Sequence, residues 1–431
     1  MRDFGSSDHP KVQAQLDRLA ALSQPQGRLG IDAIGRLLER LGDPHLHMPP
    51  VLHVAGTNGK GSVCAFLRAM LEAEGLQVHA TTSPHLVRYN ERIRIAGQLI
   101  SDQYLAALLE EVLDTAQGLA VSFFETTIAA AFLAFARNPA DACVIETGLG
   151  GRFDATNVIP DPAACGIAAL GIDHERFLLA PEQGTPDQPL ARIAFEKAGI
   201  IKPGRPVVTQ AYPAEAEAEV ERASRTASAP LYMHGRDWDA RIGARIAYQD
   251  QFGTLALPLP ALPGAHQAQN AALAVAMLRH QDRIAVSSDA MAQGIRSARW
   301  PARLQQLADG PLTRLTGRRD VWLDGGHNHD AGEAIAAFFQ GQMLHLVIGM
   351  LSNKSATAIT GALGPQIASI SAVPVPGHDS YTAQAFGKDA RTASDVGSAL
   401  AALPADGLPI LIAGSLYLAG DVLRQNGEMP D

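Results

Sequence analysis

Residues 51–62 read VLHVAGTNGKGS, and this stretch decides the interpretation of the whole chain. It begins with a short apolar run typical of a buried strand, continues as a glycine-rich turn, and is followed at 63–74 by the pattern of a helix. In such an arrangement, backbone N–H groups and the helix N-terminus bind the phosphates of a nucleotide. We expect Lys60 to contact the β- and γ-phosphates and Ser62 to reach the metal ion that bridges them.

The loop differs from the usual phosphate-binding pattern at two positions. Val54 stands where that pattern has its first glycine, and Gly61 separates the lysine from the hydroxyl residue. Gly56 and Gly59 lack a Cβ, so the backbone can approach a ligand closely. A glycine-rich strand-to-helix turn that binds no ligand is the alternative interpretation.

Length and composition restrict the class of protein. A chain of 431 residues is too long for one ordinary core and favours two domains. Its net charge of −9 argues against a nucleic acid or an anionic membrane as partner. No stretch is apolar enough to span a bilayer and residues 1–30 show no signal peptide, so we expect a cytoplasmic protein. Cys64, Cys143 and Cys165 lie in or beside apolar segments without metal-ligand spacing, which is typical of buried thiols in a reducing compartment.

The order of strands and helices predicts an α/β fold in two parts. Residues 1–297 are expected to form a P-loop-type, mostly parallel sheet domain flanked by helices, with a β-meander at 237–259. Residues 298–431 alternate strand and helix, which predicts a smaller, Rossmann-like α/β domain. Its strands are expected near 320–324, 343–349, 367–373 and 409–413.

Three polar residues lie where apolar strands are expected to end. They are Ser83, Glu146 and His174, the last after a strand expected at 163–170. The carboxyl ends of parallel strands share one edge of a sheet, where ligands bind. A carboxylate at that edge beside a phosphate loop is the usual magnesium ligand, whereas a lone serine or histidine is more often structural.

The loop GTNGKGS at 56–62 resembles that of the Mur-ligase superfamily and, within it, that of the folylpolyglutamate synthase / dihydrofolate synthase family. The segments TSPHL at 82–86 and ETGLGGRFDATN at 146–157 are similar to motifs of the same family. Residues 179–190 are rich in proline and polar side chains, and this surface insertion departs from the family's short connection.

The resemblance continues in the C-terminal part of the chain. WPAR at 300–303 resembles the family's Pro-Gly-Arg, with Ala302 in place of the glycine. DGGHNH at 324–329 follows its Asp-Gly-Ala-His-Asn-Pro, with Gly326 and His329 departing.

The resemblance implies a set of site residues. The ATP-binding residues would be Gly56, Thr57, Asn58, Gly59, Lys60, Gly61, Ser62, Asn270, Arg303 and Asp324. The metal ligands would be Ser62, Ser83, Glu146, His174 and a carbamylated Lys197. The pterin or folate would contact Leu29, Gly30, Ile31, Ser122, Phe124, Asp154 and Ala155, and glutamate would contact His327 and Ser415. The catalytic residues would be Lys60, His174, Lys197 and Arg303.

Two of these assignments also have a physical basis in the residues themselves. The flat ring of Phe124 can stack on a heterocycle. Carbamylation of Lys197 by carbon dioxide requires a neutral amine, and therefore a buried lysine whose pKa is lowered. The alternative is a solvated lysine paired with a glutamate.

The resemblance also implies a reaction. ATP would phosphorylate the carboxylate of a pteroate or folate, and the amine of L-glutamate would attack the acyl phosphate. Dihydropteroate and tetrahydrofolates would both be acceptors, with ATP and two Mg²⁺ sites as cofactors, K⁺ or another monovalent cation as a further candidate, and a monomeric enzyme. The alternatives are an enzyme with only one of the two activities, a peptidoglycan-precursor ligase, and a nucleotide-dependent switch without a ligase step.

Overall fold

The computed structural model describes residues 5–22, 30–317 and 319–430. The chain divides into two compact units, of which the first comprises 1–261 and 268–298 and the second comprises 262–267 and 299–431. Among the described residues, no helix has both the length and the apolar character needed to cross a membrane.

The first unit contains an eight-stranded sheet, a three-stranded sheet and most of the helices. The strands are β1 (Val51–Ala55), β2 (Val78–Thr81), β3 (Ile93–Ile95), β4 (Gln98–Leu99), β5 (Ala142–Glu146), β6 (Ala164–Ile167), β7 (Val207–Thr209), β8 (Leu231–Met233), β9 (Trp238–Ile242), β10 (Ile246–Asp250) and β11 (Gly253–Leu257). The helices are α1 (Pro10–Ala20), α2 (Asp32–Arg40), α3 (Lys60–Ala73), α4 (Asp102–Thr115), α5 (Phe123–Arg137), α6 (Glu175–Leu178), α7 (Pro189–Ala198), α8 (Ala214–Thr226), α9 (Ala265–Arg279) and α10 (Ser288–Ser297).

The large sheet has the order β4-β3-β2-β5-β1-β6-β7-β8, and the six strands from β2 to β8 in that order run parallel. Every residue of β1 and β5 is buried, as expected for central strands that are covered on both faces. Val54 pairs with both Glu146 and Gly166, so the phosphate loop leaves the sheet level with the end of β5. Strands β9, β10 and β11 are antiparallel, which confirms the predicted β-meander.

The second unit is a six-stranded sheet with the order β12-β13-β17-β14-β15-β16, in which only β12 is antiparallel. This arrangement confirms the predicted α/β alternation. The strands are β12 (Gln305–Gln306), β13 (Val321–Leu323), β14 (Leu344–Ile348), β15 (Ile367–Ala372), β16 (Arg391–Thr392) and β17 (Ile410–Ala413). The helices are α11 (Pro311–Arg314), α12 (His329–Phe338), α13 (Thr357–Leu363), α14 (Val396–Ala401) and α15 (Leu416–Asn426).

Two predicted boundaries beside the phosphate loop are wrong. The helix after the loop begins at Lys60 rather than Val63, because Gly59 takes a left-handed conformation (φ +84°) that lets the chain turn directly into α3. The strand before His174 ends at Ile167 rather than Leu170, so His174 lies in a loop and not directly at a strand end. His174 itself has φ +54°.

Candidate active site

The phosphate loop connects β1 to α3 and depends on two glycines. Gly56 has φ +154° and Gly59 has φ +84°. A Cβ on Gly59 would lie 2.6 Å from Oδ1 of Asn270, and a Cβ on Gly56 would lie 2.9 Å from the Cβ of Ala168. The absence of side chains therefore lets the loop pack against α9 and against the segment that follows β6.

Thr57 fixes the loop to the chain after β6. Its backbone N–H donates to the carbonyl oxygen of Ala169 at 2.8 Å, and its hydroxyl donates to that of Gly171 at 2.9 Å. The same hydroxyl accepts from the N–H of Gly171 at 3.1 Å. These bonds connect the start of the loop to the segment that follows β6.

Two lysines converge on one oxygen of the loop. Nζ of Lys60 donates to the carbonyl oxygen of Gly56 at 3.1 Å, and Nζ of Lys197 donates to the same oxygen at 2.8 Å. Lys197 is buried, and burial together with the charge of Lys60 lowers its pKa to about 7, although Asp173 and Asp154 oppose this effect. The low pKa contradicts a solvated Lys197 and leaves a large fraction of the amine neutral near neutral pH.

The structure brings the predicted ligands Ser83 and Glu146 together at the same edge of the sheet. The backbone N–H of Ser83 donates to Oε2 of Glu146 at 3.1 Å, and Glu146 is buried. Burial and the charge of Glu146 raise the pKa of Cys64, whereas Lys60 lowers it, so both charged groups lie near the first turns of α3. Ser62 is buried in that first turn.

His174 is accompanied by a carboxylate to which we assigned no role from the sequence. The backbone N–H of His174 donates to Oδ1 of Asp173 at 2.7 Å, and Asp173 also opposes the lowering of the pKa of Lys197. Within the described parts of the chain, no three His, Cys, Asp or Glu side chains are grouped to hold a metal. The predicted ligand set contains only two residues of these types, Glu146 and His174; its other members are the hydroxyls of Ser62 and Ser83 and a carbamate on Lys197.

A second group of predicted residues surrounds the glycine-rich loop after β5. A Cβ on Gly148 would lie 2.4 Å from Cζ of Phe124, so the aromatic ring packs directly against the backbone of the loop. Phe124, Ala155 and Ile31 belong to one hydrophobic cluster. Leu29 lies outside the described residues, and Gly30 is exposed just before α2.

Ser122 has a structural use in addition to its predicted substrate contact. Its hydroxyl accepts from the N–H of Glu125 at 3.3 Å and donates to Oε2 of the same residue at 2.7 Å. This reciprocal cap begins α5 and thereby places Phe124 in the first turn of that helix.

The carboxylate of Asp154 is buried and organises the loop around it. Oδ1 accepts from the backbone N–H of Thr156 at 3.0 Å and from its hydroxyl at 2.6 Å, and Oδ2 accepts from the N–H of Leu149 at 2.7 Å. Nε2 of His53 lies 2.8 Å from the same hydroxyl oxygen. Because the hydroxyl donates to Asp154, Nε2 of His53 is the donor in that bond.

Burial acts on both ends of this His53–Thr156–Asp154 chain. It lowers the pKa of His53 to about 3, so the imidazole stays neutral, and it raises the pKa of Asp154 even though the hydrogen bonds oppose this. The contact of His53 with Thr156 was not predicted from the sequence, since a single histidine in a buried strand carries no local signal.

The predicted residues of the second unit meet at the carboxyl ends of β13 and β17. Asp324 follows β13, and its two oxygens accept from the N–H groups of Leu304 at 2.8 Å and Gly326 at 2.6 Å. Nδ1 of His327 donates to the carbonyl oxygen of Gly325 at 3.0 Å. Ser415 is buried and accepts from the N–H of Tyr417 at 3.1 Å, as the N-cap of α15.

Arg303 lies in the same group, after a residue with unusual backbone geometry. Ala302 is fully buried with φ +56°, a left-handed conformation that glycine adopts more readily than alanine. A Cβ on Gly325 would lie 3.0 Å from Nη1 of Arg303. His266 is close enough to feel both charges. Burial lowers the pKa of its imidazole, the charge of Asp324 raises this pKa, and the charge of Arg303 lowers it. We gave His266 no role from the sequence; it lies in the first turn of α9.

The comparisons with known proteins agree on one family. No protein-family model matches the chain. The chain is 34% identical over 411 residues to the folylpolyglutamate synthase of Lacticaseibacillus casei, covering 90% of this chain and 92% of that protein. It is 34% identical over 345 residues to the dihydrofolate synthase/folylpolyglutamate synthase of Bacillus subtilis, covering 75% and 76%.

Two solved structures are similar over almost the whole chain. E. coli FolC in complex with DHPP and ADP has a TM-score of 0.84 at 29% identity and covers 96% of this chain and 97% of that chain. The bifunctional folylpolyglutamate synthase/dihydrofolate synthase from Yersinia pestis, complexed with AMPPNP and a Mn ion, has a TM-score of 0.81 at 28% identity with the same coverage. From this identity over most of its length, the chain belongs to the folylpolyglutamate synthase / dihydrofolate synthase family and is an ATP-dependent ligase.

Proposed function

We propose that this enzyme joins L-glutamate to dihydropteroate, forming dihydrofolate, and to tetrahydrofolate-type folates, through an acyl-phosphate intermediate. The observation that carries the proposal is the grouping of Lys60, Lys197 and Glu146 around a phosphate loop, in the same unit as the Phe124–Gly148 pair. Relatives named for each activity, and for both together, support the two acceptors.

The phosphate loop and two further elements would bind ATP. The backbone of residues 56–62 and the N-terminus of α3 face the phosphates, and Asn270, which lies against Gly59, reaches the adenine. Arg303 and Asp324 contact the phosphates and the ribose or adenine edge. The nucleotide complexes of the E. coli and Yersinia pestis proteins support this assignment.

The donors at the strand ends fit a magnesium ion. The carboxylate of Glu146 and the hydroxyls of Ser62 and Ser83 are oxygen ligands of the kind that Mg²⁺ prefers, with His174 as an additional ligand. A carbamate on Lys197 would serve a second metal. When bound, the metal ions neutralise charge that develops on the phosphates, and the Mn complex of the Yersinia pestis protein supports a divalent ion.

The chain's own residues position the reactants and stabilise charge. Lys60 and Arg303 offset negative charge on the transferring phosphoryl group. Phe124 stacks on the pterin while Asp154 and Ala155 contact its polar edge, and His327 and Ser415 hold the glutamate. Attack of the glutamate amine on the acyl phosphate then gives a tetrahedral intermediate from which phosphate leaves.

The test is ADP release with ATP, Mg²⁺ and L-glutamate, comparing dihydropteroate with tetrahydrofolate as acceptor. Release with both supports the full proposal, and release with only one reduces it to that single activity. ATP binding without release for either acceptor would contradict it and favour a nucleotide switch. Lys60→Ala should abolish release, whereas Lys11→Ala, on the exposed face of α1, should not.

A further inference from the structure

The insertion at 179–190 connects α6 to α7 and contacts the glycine-rich loop after β5. It has no regular structure before Pro189, and a turn in which the hydroxyl of Thr185 donates to the carbonyl oxygen of Glu182 at 2.6 Å shapes it. This turn directs the carboxylate of Glu182 toward two arginines, Arg152 of the loop and Arg192 of α7.

Glu182 completes a cluster of two arginines and two glutamates. Its Oε1 accepts from Nη1 of Arg152 at 3.1 Å, and its Oε2 accepts from Nη2 of Arg152 at 2.5 Å. The same Oε2 also accepts from Nη2 of Arg192 at 3.1 Å. Glu196 binds the other side of Arg152, from Nε at 3.1 Å and Nη2 at 2.8 Å, and pairs with Arg192 at 3.0 Å.

The cluster is charge-balanced and largely shielded from water. The exposed fraction of the side chain is 22% for Arg152, 18% for Glu182, 6% for Arg192 and 5% for Glu196. Burial lowers the pKa of Arg152, but the hydrogen bonds from Glu182 and Glu196 outweigh it and raise that pKa overall. Without Glu182, two shielded guanidinium groups would share a single carboxylate.

Arg152 transmits this contact to the backbone of the loop. Its N–H donates to the carbonyl oxygen of Glu196 at 2.7 Å, and its carbonyl oxygen accepts from Asn157 at 3.0 Å. A Cβ on Gly199 would lie 2.4 Å from Cα of Arg152, so the loop lies directly on the C-terminal end of α7. In the sequence of the loop, Arg152 stands between Gly148, whose backbone contacts the ring of Phe124, and Asp154.

We propose that Glu182 is a positioning residue through which the insertion holds Arg152, and thereby fixes the loop 148–154 for binding of the pterin-containing acceptor. The proposal rests on the proposed function, which gives this loop the acceptor. The ordered carboxylate acts through Arg152 and touches no reactant. Its loss leaves the phosphate loop intact and loosens the acceptor loop.

The test compares Glu182→Gln, which keeps the size of the side chain and removes its charge, with Glu215→Gln on the exposed face of α8. For Glu182→Gln the KM for dihydropteroate should rise about five- to twentyfold. This effect lies between the loss of an exposed ion pair and the loss of a buried one, because the cluster is only partly exposed. The kcat and the KM for ATP should change less than about twofold. In an Arg152→Met background the same substitution should have no further effect on KM.

Hydrogen exchange supplies a readout that does not depend on the reaction. Amides in 148–157 should exchange several-fold faster in Glu182→Gln, while those of α8 stay unchanged. Faster exchange with an unchanged KM, or a lower melting temperature alone, would overturn the positioning role. If the wild-type enzyme turns over neither dihydropteroate nor tetrahydrofolate, the proposed function fails; if it turns over only tetrahydrofolate, that acceptor replaces dihydropteroate in the KM comparison. In either case, unchanged exchange would independently exclude the contact as a restraint on the loop.

Discussion

Lys60 and Lys197 donate to the same atom, the carbonyl oxygen of Gly56, at 3.1 Å and 2.8 Å. Burial disfavours the charged form of Lys197, and the neighbouring ammonium group of Lys60 adds repulsion. The pKa of Lys197 therefore falls to about 7, which prepares its amine for reaction with carbon dioxide.

The first prediction is a carbamate on Lys197. In carbon-13 bicarbonate at about pH 8.5, where a lysine with this pKa is neutral, NMR should detect a carbamate carbon, and the signal should be lost near pH 6. Lys197→Arg should lack it, because an arginine keeps its charge. Full activity of an unmodified Lys197 would exclude a function for the carbamate.

The second prediction concerns stability in bicarbonate-free buffer. Above about pH 7 the folded lysine is neutral, while the unfolded one keeps its proton up to about pH 10.4, so the unfolded state binds more protons in this window. The contribution of Lys197 to the free energy of unfolding should therefore rise with pH from 7 to 10. In Lys197→Met this pH-dependent contribution to the free energy of unfolding should be absent.

Urea unfolding at several pH values checks the second prediction. The stability advantage of Lys197→Met over the wild type should be greatest near pH 7 and shrink toward pH 10. Lys11→Met, at an exposed position, is the control. A difference that is constant across the range would contradict the buried, neutral lysine.

The third prediction concerns the contact between Gly148 and Phe124. In Gly148→Ala the new Cβ would lie 2.4 Å from the ring, so the ring must move. We expect the KM for the acceptor to rise about tenfold, equivalent to about 1.4 kcal/mol, and the KM for ATP to stay constant. In a Phe124→Ala background the effect should largely disappear.

Gly35→Ala is the matched control for this substitution. Gly35 lies within α2, and no atom comes within 4 Å of a Cβ built there. The alanine should stabilise the helix by about 0.5–1 kcal/mol without changing either KM. An equal change in both KM values for Gly148→Ala would argue against a specific acceptor contact.

The fourth prediction concerns the left-handed Ala302. Glycine takes this conformation without the steric cost of about 1–2 kcal/mol that a Cβ imposes. Part of this gain is offset by the greater flexibility of glycine in the unfolded chain, so Ala302→Gly should raise the free energy of unfolding by about 0.5–1 kcal/mol.

Ala298 provides the comparison, since it is also buried but has φ −53°. Ala298→Gly should lower the free energy of unfolding by about 0.5–1 kcal/mol, because at a negative φ glycine relieves no steric strain and only increases the conformational freedom of the unfolded chain. Urea unfolding of both variants measures the two shifts. Shifts of the same sign would show that backbone conformation does not decide the outcome.

Local patterns were sufficient for much of the fold. Apolar runs bounded by turn residues placed β5 so that it ends at Glu146, and placed β13, β14, β15 and β17 to within one residue, because such runs report burial directly. The short strands β3, β4, β12 and β16 were not predicted. The edge where Ser83 and Glu146 meet followed from the parallel order of the strands.

The remaining features depend on contacts between distant parts of the chain. His53 and Thr156 are 103 positions apart, and Glu182 and Arg152 are 30 apart. No spacing rule predicts such pairs, since they arise only when strands and loops are stacked together. The end of β6 was misplaced for the same reason, because Thr57 holds the following residues in a loop.

The three cysteines give the enzyme a practical property. Cys64, Cys143 and Cys165 are all buried, and burial raises the pKa of each thiol, that of Cys165 to about 12. Maleimide dyes react with thiolates, so the native chain should remain unlabelled. A single cysteine introduced by Glu215→Cys or Lys388→Cys, at an exposed position, could therefore carry a fluorophore at one defined site in an otherwise unlabelled protein.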